Sequence, residues 1–139
     1  MKFYFSNKKS DIYKNTINMK KFYFFIFILI SNIILAQSLT GVGYQKDIKE
    51  YWAINVQINS QDDITVSYPS LGCSGKWVFI KEDKNLTLLK EIITFGVEKC
   101  IPENYIFMTR DDLSPTTFRF YVFENIGDEI PYALGVLEK

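Results

Sequence analysis

The chain of 139 residues contains no histidine. That absence removes the usual general base, the Ser–His and Cys–His nucleophile pairs, and the commonest transition-metal ligand. Only two cysteines are present, and two thiols without histidine make a poor zinc site, so neither a metal nor a cofactor is expected. Four prolines and seven glycines are too few and too scattered to form a low-complexity linker. Charge of one sign is not in excess, with sixteen basic and sixteen acidic residues. Long hydrophobic runs are missing too, with one exception near the start.

That exception is residues 22–35, fourteen positions interrupted only by Ser31 and Asn32. A helix needs about 20 apolar residues to cross a bilayer, so the run is too short for a permanent anchor. Lys20 and Lys21 precede it, and Ala36 followed by Gln37-Ser38 ends it. This is the layout of a secretory signal peptide over 19–36 with a start at Met19, cleaved near Ala36, and residues 1–18 read as an upstream extension. Neither Gln37 nor Ser38, directly after the cleavage point, is the cysteine a lipid anchor needs, so no stable membrane anchor is expected. The expected location is secreted or periplasmic.

Removing residues 1–36 takes away six basic and one acidic residue, leaving ten basic against fifteen acidic in the mature chain. An acidic domain is a poor partner for nucleic acid or anionic membrane, both of which are bound through clustered Lys and Arg. A basic protein is the partner this balance allows, and a monomer is expected. Both cysteines, Cys73 and Cys100, lie in the exported part, where an oxidising compartment lets them pair. Closing that loop would constrain the unfolded chain by about 3.5 kcal/mol in the loop-entropy treatment.

About one hundred mature residues hold one domain, 37–139, and no linker or repeat divides it. The periodicity is two. Trp52, Ile54, Val56 and Ile58 alternate with Ala53, Asn55 and Gln57, and Ile64, Val66 and Tyr68 resume the pattern after a polar turn, which predicts a hairpin. Further strands are expected over 77–80, 86–95, 105–109, 117–123 and 132–137. The 86–95 segment could be claimed by a helix, but Ile92, Ile93, Thr94 and Phe95 favour a strand. In 117–123, Phe118, Phe120 and Val122 share one face, with Arg119, Tyr121 and Phe123 on the other. About seven short strands without crossover helices imply an all-β antiparallel meander, a small closed or nearly closed barrel, with a two-layer sandwich as the alternative.

The most individual motif is Tyr68-Pro69-Ser70-Leu71-Gly72-Cys73-Ser74-Gly75, followed by Glu91-Ile92-Ile93-Thr94-Phe95-Gly96 and then Cys100. Here the chain resembles an uncharacterised family of small secreted bacterial β domains with a Tyr-Pro-x-Leu-x-Cys-x-Gly turn and a second cysteine after a Glu-x-Ile strand. The resemblance spans residues 51–137, implies a β domain, and transfers no binding or catalytic residue. Physically the motif reads as a staple, in which proline and glycines turn the chain and hold Cys73 ready to meet Cys100.

Glu91 is the one local inconsistency, a carboxylate among Leu88, Leu89, Ile92 and Ile93, where it is costly unless paired. Arg119 is the expected ion-pair partner. A lone carboxylate is not an active site, since glycosidase chemistry needs a second one at a set distance. Gly41-Val42-Gly43 is too short for a phosphate loop and opens no helix. No catalytic residue is therefore assigned, and the expectation is not an enzyme but a non-catalytic binding module, an inhibitor of a basic envelope or cell-wall enzyme being one form of it. The alternatives are a hydrolase using Glu91 and a lipocalin-like carrier of a small apolar ligand.

Overall fold

The computed structural model describes residues 36–139. The upstream extension and signal peptide expected over residues 1–36 lie, apart from Ala36, outside the described residues. The period-two pattern becomes eight strands: β1 (Gln37–Gln45), β2 (Glu50–Ser60), β3 (Asp63–Tyr68), β4 (Cys73–Asp83), β5 (Leu86–Phe95), β6 (Glu103–Arg110), β7 (Thr117–Phe123) and β8 (Ala133–Glu138). Each pairs antiparallel with its chain neighbour, and β8 returns to pair with β1. The meander is a closed barrel, not a sandwich. Closure satisfies the backbone groups that two open sheets would leave along their edges.

Alternation decides what faces inward. Along β2, buried Trp52, Ile54 and Val56 alternate with exposed Tyr51, Ala53 and Asn55. Along β7, Phe120 and Val122 are buried while Arg119 points out. The interior is filled by large rings: Phe120 lies 5.9 Å from Trp52 and 6.5 Å from Trp77, and Trp52 meets Tyr68 edge-on at 5.2 Å. Burying each ring stabilises the fold by about 1.5–3 kcal/mol relative to exposure.

Two elements differ from the sequence expectation. The eighth strand is β1, which contains Gly41-Val42-Gly43; glycine weakens a strand signal. Gly43 sits opposite Trp52 in the ladder, and a Cβ there would overlap the indole. The glycine is thus the cradle of a core tryptophan. Strand β4 also runs well past the expected 77–80, with a register shift between Phe79 and Lys81. The added residue disrupts the strict alternation from which a longer strand would have been read.

An up-and-down meander sorts its loops. Those at residues 46–49, 69–72, 96–102 and 124–132 gather at one end of the barrel, and those at 61–62, 84–85 and 111–116 at the other.

Candidate functional site

The motif around Cys73 builds the first end. The carbonyl of Tyr68 accepts the backbone N–H of Leu71 at 3.1 Å and of Gly72 at 2.9 Å, and Gly72 takes a positive φ of 74°. Gly96, at φ 68°, begins the facing turn, and a Cβ on it would overlap the Gly72 carbonyl oxygen. Only glycine allows the two turns to touch this closely. The Cys73–Cys100 disulfide joins them across a Cα–Cα distance of 6.4 Å. A disulfide of this kind is consistent with an oxidising extracellular or periplasmic compartment.

Beneath the staple lies Glu91, 3% exposed. The alternation of β5 that turns Leu89 and Ile93 inward turns Glu91 inward as well. The barrel register then sets Trp77 of β4 on one side of it and Asn104 of β6 on the other. The Tyr68 hydroxyl donates to Glu91 Oε1, Trp77 Nε1–H donates to the same oxygen at 3.0 Å, and Asn104 Nδ2 donates to Oε2 at 2.8 Å. Tyr132 extends the chain by donating its hydroxyl to Asn104 Oδ1 at 2.8 Å. No buried side-chain polar atom among the described residues lacks a partner. Burial first, then the charge of Glu91 and the bond to it, hold the Tyr68 phenol well above its ordinary range. Tyr132 is raised as well, by burial and then by the carboxylates of Glu91, Glu124 and Asp47.

The expected Glu91–Arg119 ion pair does not form. Arg119 alternates with Phe118, Phe120 and Val122, so the parity that fills the core with those three sends the guanidinium to the outer surface. There its Nε and Nη2 donate to Asp111 Oδ2 at 3.2 and 3.0 Å. The Leu113 backbone N–H and Arg119 hold the Asp111 carboxyl below its usual range. Glu91 is satisfied by neutral donors, and neither of the two ion pairs among the described residues involves it. The three partners Tyr68, Trp77 and Asn104, and Tyr132 behind Asn104, were missed. One signal was available: each carries a polar tip, and Asn104 stands two residues before inward-facing Ile106.

A cavity of about 360 Å³ opens at the stapled end. Trp52, Leu71, Ile93, Ile101 and Val122 give it apolar walls, Glu91, Asn104, Tyr68 and Tyr132 a polar inner surface, and Glu50 and Lys99 charges. At the same end of the barrel stand exposed apolar side chains: Ile48 and Tyr51 in and beside the 46–49 loop, Phe95, Val97 and Ile101 around 96–102, and Ile126 and Ile130 in 124–132, of which Ile48 and Ile101 line the cup. These are seven of the thirteen exposed large apolar side chains among the described residues, whereas the opposite end presents only Leu86 and Leu113. The fold and this end define a disulfide-stapled eight-stranded β-barrel with a cup at one mouth. Compared with protein-family models, curated proteins and solved structures, the chain matches none.

Proposed function

We propose that this chain is an exported, non-catalytic binding module that engages a basic protein through the stapled mouth of its barrel. The observation that carries this reading is the crowding of exposed apolar side chains at that end. Soluble surfaces rarely expose contiguous apolar area without a use for it, and loops on a rigid barrel are where recognition residues concentrate. Acidic residues are interleaved with them, Asp47 and Glu50 beside Ile48, Glu98 beside Val97, and Glu124, Asp128 and Glu129 around Ile126 and Ile130, and they outnumber the three lysines of the same loops, Lys46, Lys49 and Lys99. Apolar anchors ringed by carboxylates complement a partner with a basic, partly apolar face. Inhibition of a basic envelope or cell-wall enzyme is one activity such a module would have. The signal peptide over 19–36 supplies the export this reading requires. The three hydrogen bonds that occupy Glu91 favour a structural role for it over that of a general acid.

The test is capture of a basic protein from envelope extract by the disulfide-bonded protein, compared across two charge-altering variants. Ile130→Lys at the mouth is expected to abolish capture and Leu113→Lys at the opposite end to leave it intact, and capture should fall as salt rises. Equal capture by both variants would overturn the assignment of the mouth.

A further inference from the structure

The carboxylate of Glu91 is buried and lines the cup, and no Lys or Arg among the described residues forms an ion pair with it. Its three hydrogen-bond donors, Tyr68, Trp77 and Asn104, are all neutral. The only ion pairs among the described residues are Lys90–Glu103 and Arg119–Asp111, and none of the four lines the cup. A carboxylate offers about four acceptor positions, and three are used. Lys99 also lines the cavity, but its Nζ lies over Gly72, 3.2 Å from where a Cβ would stand, with no bond to Glu91. Trp52 and Tyr68 stand in the same wall, edge-on to each other, and Glu50 adds a second carboxylate.

We infer that the cup is a binding site for an alkylammonium or alkylguanidinium group, its cationic head directed at Glu91 and Glu50 and its aliphatic stem packed against Trp52, Leu71 and Ile101. A buried anion compensated only by dipoles is a costly arrangement that a mobile cation improves, provided the cation arrives with apolar surface to bury. The negative potential is not confined to one group, since Glu91, Glu124 and Asp47 all act on the Tyr132 hydroxyl at the same mouth. A neutral or anionic ligand of the same shape would gain the apolar contacts and lose the electrostatic ones.

The head group has two sources, a free small amine or a Lys or Arg side chain of the basic partner proposed above. The site stands without that partner, so the two readings can fail separately.

The test titrates the disulfide-bonded protein with n-butylammonium, agmatine, n-butanol and butyrate while following the two tryptophan indole 1H–15N resonances. Trp77 donates its indole N–H to Glu91 and Trp52 lines the cup, so both report occupancy. Saturable shifts are expected with the two cations, at Kd about 1 mM for so small a ligand, and none with butanol or butyrate. Two surface variants test the sign of the charge without disturbing the core: Glu50→Gln is expected to weaken butylammonium binding about threefold or more, and Lys99→Gln to strengthen it. Equal binding of butanol, absence of saturable shifts at about 50 mM butylammonium, or weakening by Lys99→Gln would overturn the proposal. Displacement of captured basic protein by agmatine identifies a partner side chain as the natural occupant, and simultaneous binding identifies a free amine. Loss of protein capture in Ile130→Lys with amine binding intact would leave this site standing on its own.

Discussion

Replacing Asn104 with leucine keeps the volume of the side chain and removes both of its hydrogen-bonding roles. The amide donates to Glu91 Oε2 at 2.8 Å and accepts the Tyr132 hydroxyl at 2.8 Å, in a residue only 3% exposed. Losing a hydrogen bond to a buried charged group costs about 1.5–3 kcal/mol, and the half-buried Tyr132 hydroxyl, which water can reach, adds about 0.5–1 kcal/mol. The single variant should therefore be destabilised by about 2–4 kcal/mol, which for a domain near 100 residues lowers the melting temperature by roughly 10–20 °C. Glu91→Leu leaves three donors facing an apolar side chain and should cost about 3–5 kcal/mol. In the double variant the lost Glu91–Asn104 bond is counted once and neither partner of it is left stranded. Its destabilisation should fall short of the sum of the singles by about 2 kcal/mol. Urea unfolding of the disulfide-bonded protein, followed by circular dichroism and tryptophan fluorescence at unchanged m-value, measures all three. Additivity within about 0.5 kcal/mol would refute the network as a cooperative unit, and an Asn104→Leu variant as stable as wild type would refute its burial.

Arg119→Met is expected to leave the urea midpoint unchanged and to show no coupling with Glu91→Gln, because its only ion pair is with Asp111 on the outer surface; coupling between the two would restore the direct pair. Tyr68 and Tyr132 bind their phenolic protons more tightly in the folded chain than in the unfolded one, Tyr68 through burial and the nearby Glu91, Tyr132 chiefly through burial. Stability should thus be intact below about pH 10 and fall above it as the unfolded tyrosines ionise, with two tyrosines absorbing as phenolate only on unfolding; titration of every tyrosine in the native protein would contradict this. Gly43→Ala drives a methyl into the Trp52 indole and should cost about 1–3 kcal/mol, read as a lowered urea midpoint with a shifted Trp52 emission, whereas Gly127→Ala, which meets nothing, should cost little.

Strand identity was legible in the sequence because it is carried by neighbours two residues apart. Trp52, Ile54 and Val56, or Phe118, Phe120 and Val122, declare a buried face without reference to the rest of the chain, and the absence of any helical period left an antiparallel meander as the way to join such strands. The turns of the staple were legible for a similar reason, since Pro69, Gly72 and Gly96 act within single turns, and Cys73 had no other cysteine than Cys100 to pair with. The partners of Glu91 were not. Which side chains meet a residue inside a barrel depends on the register of ladders between strands distant in sequence: Trp77 and Asn104 flank Glu91 only because β4 and β6 pair with β5 at those positions. A closed barrel was expected, but that β1 closes it on β8 was a tertiary outcome, and with it came the meaning of Gly43, which no local rule distinguishes from a loop glycine until Trp52 lies across it. The sequence by itself determined seven of the eight strands, their inner and outer faces and the proline- and glycine-bearing turns, because these are properties of short range. The tertiary structure alone decided the neutral cage around Glu91, the outward pairing of Arg119 and the apolar rim of the mouth, because each is made by side chains that only the closed ladder brings together.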